Sequence, residues 1–507
     1  MENKTEKEFD SRLLLVTTLL ISICSIIYEL LISSISSYIQ GDSITQFSIT
    51  IGLYMSAMGI GSYLSKFIKE KLFNKFIIIE MSVGILGGLS SLILFLSNIY
   101  TNIYDLIMYV LIIAIGIFVG LEIPILTRII EEKQSNVRKN LANIFTFDYI
   151  GGLIGSIAFP LLLFPKLGFV TTALLIGSIN IIVALLIIFK YKDYIEHYKK
   201  VKSISIVCLV TIVILLFTGG IITEKIEEGL YRDDVILIKQ TKYQKIVMTK
   251  HKDDMRLFLD GNLQFSTSDE YRYHEALVHI PMMYAPSHKR VLILGGGDGL
   301  AAREVLKYDD VEEIVLVDID KEMTDLCTTD EQIAKLNENS LKNEKVKVIN
   351  EDAYIFVQEN EEKFDVIIID FPDPNSEVLN KLYTNVFYNY IKYNLTENGV
   401  MVCQSTSPYY ARKSFWCINK TIKTQFETVK PYHLQVPSFG EWGFNLAYNG
   451  KNKMEELQVK TKYLTKENID SLFIFGKDEL IDLEKIEENN MFKPTLITYY
   501  NEEVQNW

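Results

Sequence analysis

At 507 residues the chain has room for two or three domains, and its formal net charge of −13 argues against a nucleic-acid partner, which needs clustered positive charge. Its 49% hydrophobic content is high for a wholly soluble protein and places part of the apolar mass in lipid. The five cysteines, Cys24, Cys208, Cys327, Cys403 and Cys417, form no C-x-x-C pair and have no histidine at zinc spacing, so no metal is expected.

Hydrophobic residues concentrate before position 225, and apolar runs divided by charged breaks give about seven candidate spans, near 12–37, 46–68, 76–97, 104–127, 141–163, 169–189 and 204–222. Lys4, Lys7 and Arg12 precede the first run as in a signal peptide. The run is too long for one, lacks a small-residue cleavage site and is followed by further spans, so it reads as a membrane helix. Three short connections are basic: Lys66, Lys69, Lys71 and Lys75; Arg128, Lys133, Arg138 and Lys139; and Lys190, Lys192, Lys199, Lys200 and Lys202. The positive-inside rule puts these loops and the N-terminus in the cytoplasm of a multi-pass cell-membrane protein. Seven crossings would then leave the rest of the chain outside; the alternatives are a fifth run that re-enters the membrane or a last run that lies on its surface, and the side stays open. Glu29, Glu122 and Asp148 lie within or at the ends of apolar runs. There they read either as a ligand or cation pathway or as interhelical hydrogen bonding.

After about residue 230 the pattern changes. Residues 233–265 alternate apolar and polar with turn-like breaks, as in a small antiparallel sheet, and a helix follows through Tyr273, His274 and His279. A buried-strand run, Val291-Leu292-Ile293-Leu294, then enters Gly295-Gly296-Gly297-Asp298-Gly299, a glycine turn between strand and helix that lets a ligand approach the backbone. The next strands end at Asp318, at Asp352 with Ala353, and at Asp370 with Asp373. One such acid reads as a helix cap or solvated turn. Acids at the carboxyl ends of successive strands mark the ligand crevice of a doubly wound sheet. Asp318 is placed to accept the ribose hydroxyls and Asp352 an adenine amino group. Asp298 in the turn disfavours a pyrophosphate and favours a cationic tail, which points to an S-adenosylmethionine-type nucleoside. The chain is thus expected to be an all-α multi-pass membrane bundle over 1–225, a small β-sheet and helix over 226–288, and a Rossmann-like α/β domain over 289–507.

An ordered chain of motifs resembles the polyamine aminopropyltransferases, the spermidine synthase family. They are Tyr243-Gln244-Lys245-Ile246, Leu259-Asp260-Gly261-Asn262-Leu263-Gln264, Asp269-Glu270-Tyr271-Arg272-Tyr273-His274-Glu275, the glycine turn, Asp318, Asp352-Ala353, Asp370 with Asp373-Pro374, Leu382-Tyr383 and Trp442-Gly443-Phe444. The resemblance implies that Gln244, Gln264, Gly295, Gly297, Asp318, Asp352 and Ala353 hold decarboxylated S-adenosylmethionine, a co-substrate rather than a prosthetic group. It implies that Asp298 meets the aminopropyl amine, that Tyr273, His274, Asp373, Tyr499 and Tyr500 bind the acceptor amine, and that Asp370 is the base. It also implies a homodimer and transfer to a diamine, putrescine first among the candidates, giving spermidine and methylthioadenosine. The family's loop between the two aspartates usually carries small polar residues, whereas Phe371-Pro372 stands here and Asn375-Ser376-Glu377 follows. Cadaverine, agmatine and longer amines therefore stay open as acceptors. Two other readings compete: an S-adenosylmethionine-dependent methyltransferase, which would not need Gln244 or the aspartate pair, and a membrane sensor or transporter that binds polyamines without turnover.

Overall fold

The computed structural model describes residues 12–40, 43–132, 137–229 and 231–504. Lys4, Lys7 and Lys133 of the charge reading lie outside the described residues. The chain divides into two compact units, Met1–Arg232 and Asp233–Trp507.

The first unit is helical: α1 Arg12–Gln40, α2 Ser43–Leu64, α3 Leu72–Tyr100, α4 Tyr104–Glu131, α5 Val137–Ala158, α6 Phe164–Lys190 and α7 Tyr198–Glu228. Among the described residues, six helical stretches are long and apolar enough to cross a membrane, and this corrects the expectation of about seven separate spans. The difference lies in α5 and α6. No polar loop parts them, and a π turn at Phe159–Leu163 carries the helix onward, so Arg138–Lys190 forms one 53-residue stretch. Gly168, at φ 68°, puts a kink into it. At 1.5 Å per residue the stretch is roughly 80 Å long, room for two crossings of a ~30 Å hydrocarbon core. Large apolar side chains face outward on α5 and α7: Leu153 is 61% exposed, Val207 64% and Phe217 82%.

The second unit opens with a four-stranded antiparallel sheet, β1 Asp234–Gln240, β2 Lys245–His251, β3 Asp254–Leu259 and β4 Asn262–Ser266, followed by α8 Glu270–Tyr284. Next come β5 Arg290–Gly295, α9 Leu300–Val305, β6 Glu313–Val317, α10 Lys321–Thr329, α11 Glu331–Leu336, β7 Val346–Ile349, α12 Ala353–Glu359 and β8 Phe364–Asp370. The chain continues through α13 Glu377–Asn380, α14 Asn385–Asn394, β9 Leu395–Gln404, α15 Arg412–Lys423, β10 Thr428–Val436, β11 Gly440–Tyr448, α16 Lys466–Ile469 and α17 Thr495–Val504.

Seven of these strands form one sheet in the order β10-β11-β9-β8-β5-β6-β7, parallel from β9 to β7 and antiparallel at β11 and β10. Helices cover both faces, so the central strands are apolar throughout. Val291, Leu292, Ile293 and Leu294 are each 0% exposed, a burial that stabilises the fold by about 1.5–3 kcal/mol per side chain. The chain runs outward from β5 to β6 and β7, then returns to β8 on the other side of β5. The switch point lies between β5 and β8, where Gly295 pairs with Asp370, and crevices open at such points.

Outside that crevice, His433, Glu441 and Glu479 bring three ligand-type atoms within 4.8 Å of one another. Both ring nitrogens of His433 are engaged there, Nδ1 with Glu441 and Nε2 with the carbonyl of Ile474 at 2.8 Å, so the cluster fastens the C-terminal segment to the β10–β11 hairpin.

Candidate active site

A cavity of about 800 Å³ opens at the carboxyl ends of β5, β6 and β8. Of the residues singled out from sequence, Gln244, Gln264, Tyr273, His274, Gly295, Gly297, Asp298, Asp318, Asp352, Ala353, Asp370, Asp373 and Tyr500 line it. Tyr499 does not, which corrects the pairing of the two C-terminal tyrosines. Neighbours on α17 point about 100° apart, and the Tyr499 hydroxyl instead accepts the amide of Glu487 at 3.3 Å.

The backbone makes the crevice. Gly295 has φ 83°, and a Cβ there would lie 2.1 Å from the carbonyl oxygen of Asp370. Only glycine lets β5 leave the sheet this close to β8. Gly297 donates its amide to Asp318 Oδ2 at 3.1 Å, and Asp320 donates to Oδ1 at 2.8 Å. Burial raises the Asp318 carboxyl to about 6 against these two amides. Gln244 donates to Asp320 Oδ2 at 3.0 Å, and Gln264 turns its amide to the carbonyl of Asn262 at 3.2 Å. Asp352 caps α12 through the amide of Tyr354 at 2.9 Å, and Lys381 holds its other oxygen at 2.5 Å. A ligand amine reaching that oxygen must displace Lys381.

At the other end of the cavity stand Asp298, Asp370 and Asp373. Tyr273 donates to Asp370 Oδ1 at 2.5 Å. Tyr500 donates to Asp373 Oδ2 at 2.9 Å, whereas among the described residues the buried Oδ1 meets no donor in hydrogen-bond geometry, with the Gln404 amide beside the carboxyl. Burial raises both Asp370 and Asp373 to about 6. His274 acts on both Asp370 and Asp298, and Arg303 acts on Asp298 as well. Burial pulls its imidazole down, but Glu270, 2.9 Å from Nδ1, outweighs burial and lifts it to about 9. The resulting cation lowers Asp370 and Asp298 in turn.

Sequence reading missed three parts of this arrangement. Gln404, at the end of β9, lines the cavity, donates to the Tyr383 hydroxyl at 3.0 Å and accepts from Trp442 Nε1 at 3.2 Å. Thr406 takes φ 60°, a strained conformation for a β-branched residue that costs about 1–3 kcal/mol. That turn aims its hydroxyl at Asp373 Oδ2, 3.4 Å away. Arg303, nearly buried, binds Glu270 through two nitrogens at 2.9 Å each and Glu304 through Nε at 2.9 Å, and so fixes the glutamate behind His274.

This network makes stability depend on pH with a definite sign. Burial alone would raise Glu270 and Glu304, yet His274 and Arg303 beside the first, and His279 and Arg303 beside the second, pull both down to about 2. Their contribution is complete above the unfolded value of about 4.3 and fades as pH falls toward 2. The contribution of His274 is complete below about 6.5 and is lost as pH rises through 9. The melting-temperature deficit of Glu270→Gln, read by calorimetry against wild type, is expected to be widest between about pH 4.5 and 6.5. A deficit independent of pH would refute this.

A family model described as the spermine/spermidine synthase domain matches residues 270–460. The chain is 43% identical over 498 residues to a polyamine aminopropyltransferase of Leptospira interrogans, covering 97% of this chain and 98% of that one. It is 40% identical over 496 residues to one from Oceanobacillus iheyensis, with 96% of each covered. A polyamine aminopropyltransferase 2 of Ralstonia nicotianae is 37% identical over 500 residues, 97% of this chain and 98% of its own. Coverage this wide takes in the helical unit as well as the cavity. By full-length likeness to these enzymes, the chain belongs to the polyamine aminopropyltransferase family.

Proposed function

We propose that the cavity transfers the aminopropyl group of decarboxylated S-adenosylmethionine to a diamine, putrescine first, from a helical unit embedded in the membrane. The observation that carries this reading is the juxtaposition of Asp298, Asp370 and Asp373, one with a vacant buried oxygen, in the same cavity as the strand-end acids Asp318 and Asp352. Strand-end acids suit a nucleoside, and buried carboxylates suit ammonium groups. Outward-facing apolar side chains on α5 and α7 and lysine-rich connections support the membrane placement.

The chemistry asks little beyond position and an unprotonated nucleophile. The amine nitrogen attacks the carbon joined to the sulfonium, the carbon–sulfur bond breaks, and neutral methylthioadenosine leaves with the electron pair. The departing amine proton passes to Asp370, whose carboxyl near 6 is ionised at neutral pH and oriented by Tyr273. Asp373 Oδ1 accepts from the far ammonium of the acceptor, and Asp298 from that of the donor. His274 takes a part different from the amine ligand the resemblance implies. As an imidazolium it would repel an ammonium, and its service is to hold Asp298 and Asp370 ionised. In His274→Gln the acidic limb of the kcat/KM profile is expected to move to higher pH, because loss of the cation raises Asp370. An unmoved limb would sink this role.

The deciding assay uses the full chain in detergent with decarboxylated S-adenosylmethionine and putrescine, cadaverine, agmatine or spermidine, scoring methylthioadenosine by mass. Amine-dependent release is expected, and the preferred amine names the acceptor. Absence of release with every amine overturns the reading.

A further inference from the structure

The helical unit contains a second set of buried acids. Glu80 on α3 and Glu122 on α4 are 0% and 1% exposed, and their carboxyl groups lie against one another. Glu80 Oε2 accepts from Asn180 Nδ2 on α6 at 3.1 Å, and Asn180 Oδ1 accepts from the Tyr28 hydroxyl on α1 at 3.1 Å. Four helices thus converge on one polar point. Among the described residues, Glu80 Oε1 and both oxygens of Glu122 meet no hydrogen-bond donor other than the opposing carboxyl, and no basic residue acts on either group.

Two carboxyl groups in contact away from water must share a proton or hold a cation between them. Three vacant acceptor oxygens with no donor match the three N–H groups of a primary ammonium. Tyr28 and Tyr54, both 0% exposed, lie close enough to feel the charge of Glu122, and Tyr28 feels that of Glu80 as well. Glycines let the helices close in around the pair. A Cβ at Gly87 would lie 2.4 Å from the Tyr28 ring, and one at Gly177 would lie 2.4 Å from the carbonyl of Gly84.

We propose that the Glu80–Glu122 cluster is a binding site for the primary ammonium end of an unbranched alkylamine. It uses none of the residues of the transferase cavity and stands apart from the transfer chemistry. Free diamine and longer polyamine share this ammonium chemistry, and the experiment separates them.

The test is equilibrium dialysis of the full chain in lipid nanodiscs with radiolabelled putrescine or spermidine, beside the methylthioadenosine assay. Glu80→Gln and Glu122→Gln are each expected to bind one equivalent fewer than wild type while releasing methylthioadenosine at the wild-type rate. The label that shows the loss names the amine. Were the transfer reading wrong, wild type would bind one equivalent and the variants none, so the two proposals fail separately. Equal stoichiometry in wild type and variants would show that the pair holds only a shared proton, and would overturn the proposal. So would an equivalent displaced by sodium chloride but not by choline chloride. Should the glutamine variants not fold, Tyr28→Phe keeps the packing and frees Asn180. It is expected to weaken the same equivalent about tenfold, and unchanged affinity counts against the site.

Discussion

Asp370→Asn is expected to lower kcat about 10²–10⁴-fold, the range that a positioned general base supplies, while methylthioadenosine affinity stays within a few-fold of wild type. The substitution is nearly isosteric, and the amide oxygen still accepts from the Tyr273 hydroxyl, so the wall of the cavity persists. What disappears is a group able to take the proton of the attacking amine. Because burial puts the wild-type carboxyl at about 6, wild-type kcat should fall as pH drops through 6. In the variant that limb should vanish from the residual rate. Pre-steady-state quench-flow separates the chemical step from product release, and a variant that loses affinity while keeping its chemical step would reassign Asp370 to binding.

Much of this site was legible because β-strands end where their apolar run ends. Leu294 stops at Gly295, Val317 at Asp318, and Ile369 at Asp370, and in a parallel sheet the helices return every strand to the same edge. The same grammar applies to β9, whose run Val400-Met401-Val402-Cys403 ends at Gln404. Gln404 escaped because its role depends on β9 lying beside β8, a matter of strand order. Arg303 and Glu270 escaped for a related reason, since their pairing joins α9 to α8 across a core that no local pattern describes. In the helical unit, Glu122 stood out by its apolar setting. Glu80 was not singled out, although it falls inside the apolar run 76–97, and α3, which begins at Leu72, carries it inside. Residues 164–168, with Pro165 and Gly168, read as the break between two spans, where the chain instead runs from a π turn straight into α6 and is only kinked at Gly168.

The two loop aspartates differ in what they touch, and that difference yields the sharper test of the division of labour. Asp370 is held by a tyrosine from α8, Asp373 by a tyrosine from α17 and a threonine after β9. Asp373→Asn keeps an acceptor for Tyr500 but removes the charge that Oδ1 offers to an ammonium. Neutralising one partner of a desolvated charge pair costs about 2–4 kcal/mol, which is roughly thirty- to a thousandfold in binding. KM for the diamine should rise by that factor with kcat changed far less, since the proton-accepting carboxylate is untouched. Decarboxylated S-adenosylmethionine, bound at the nucleoside end, should keep its KM within a few-fold. Steady-state kinetics with each substrate varied in turn reads both. A fall in kcat with an unchanged diamine KM would place the acceptor ammonium elsewhere in the cavity and leave the buried Oδ1 of Asp373 without the partner assigned to it.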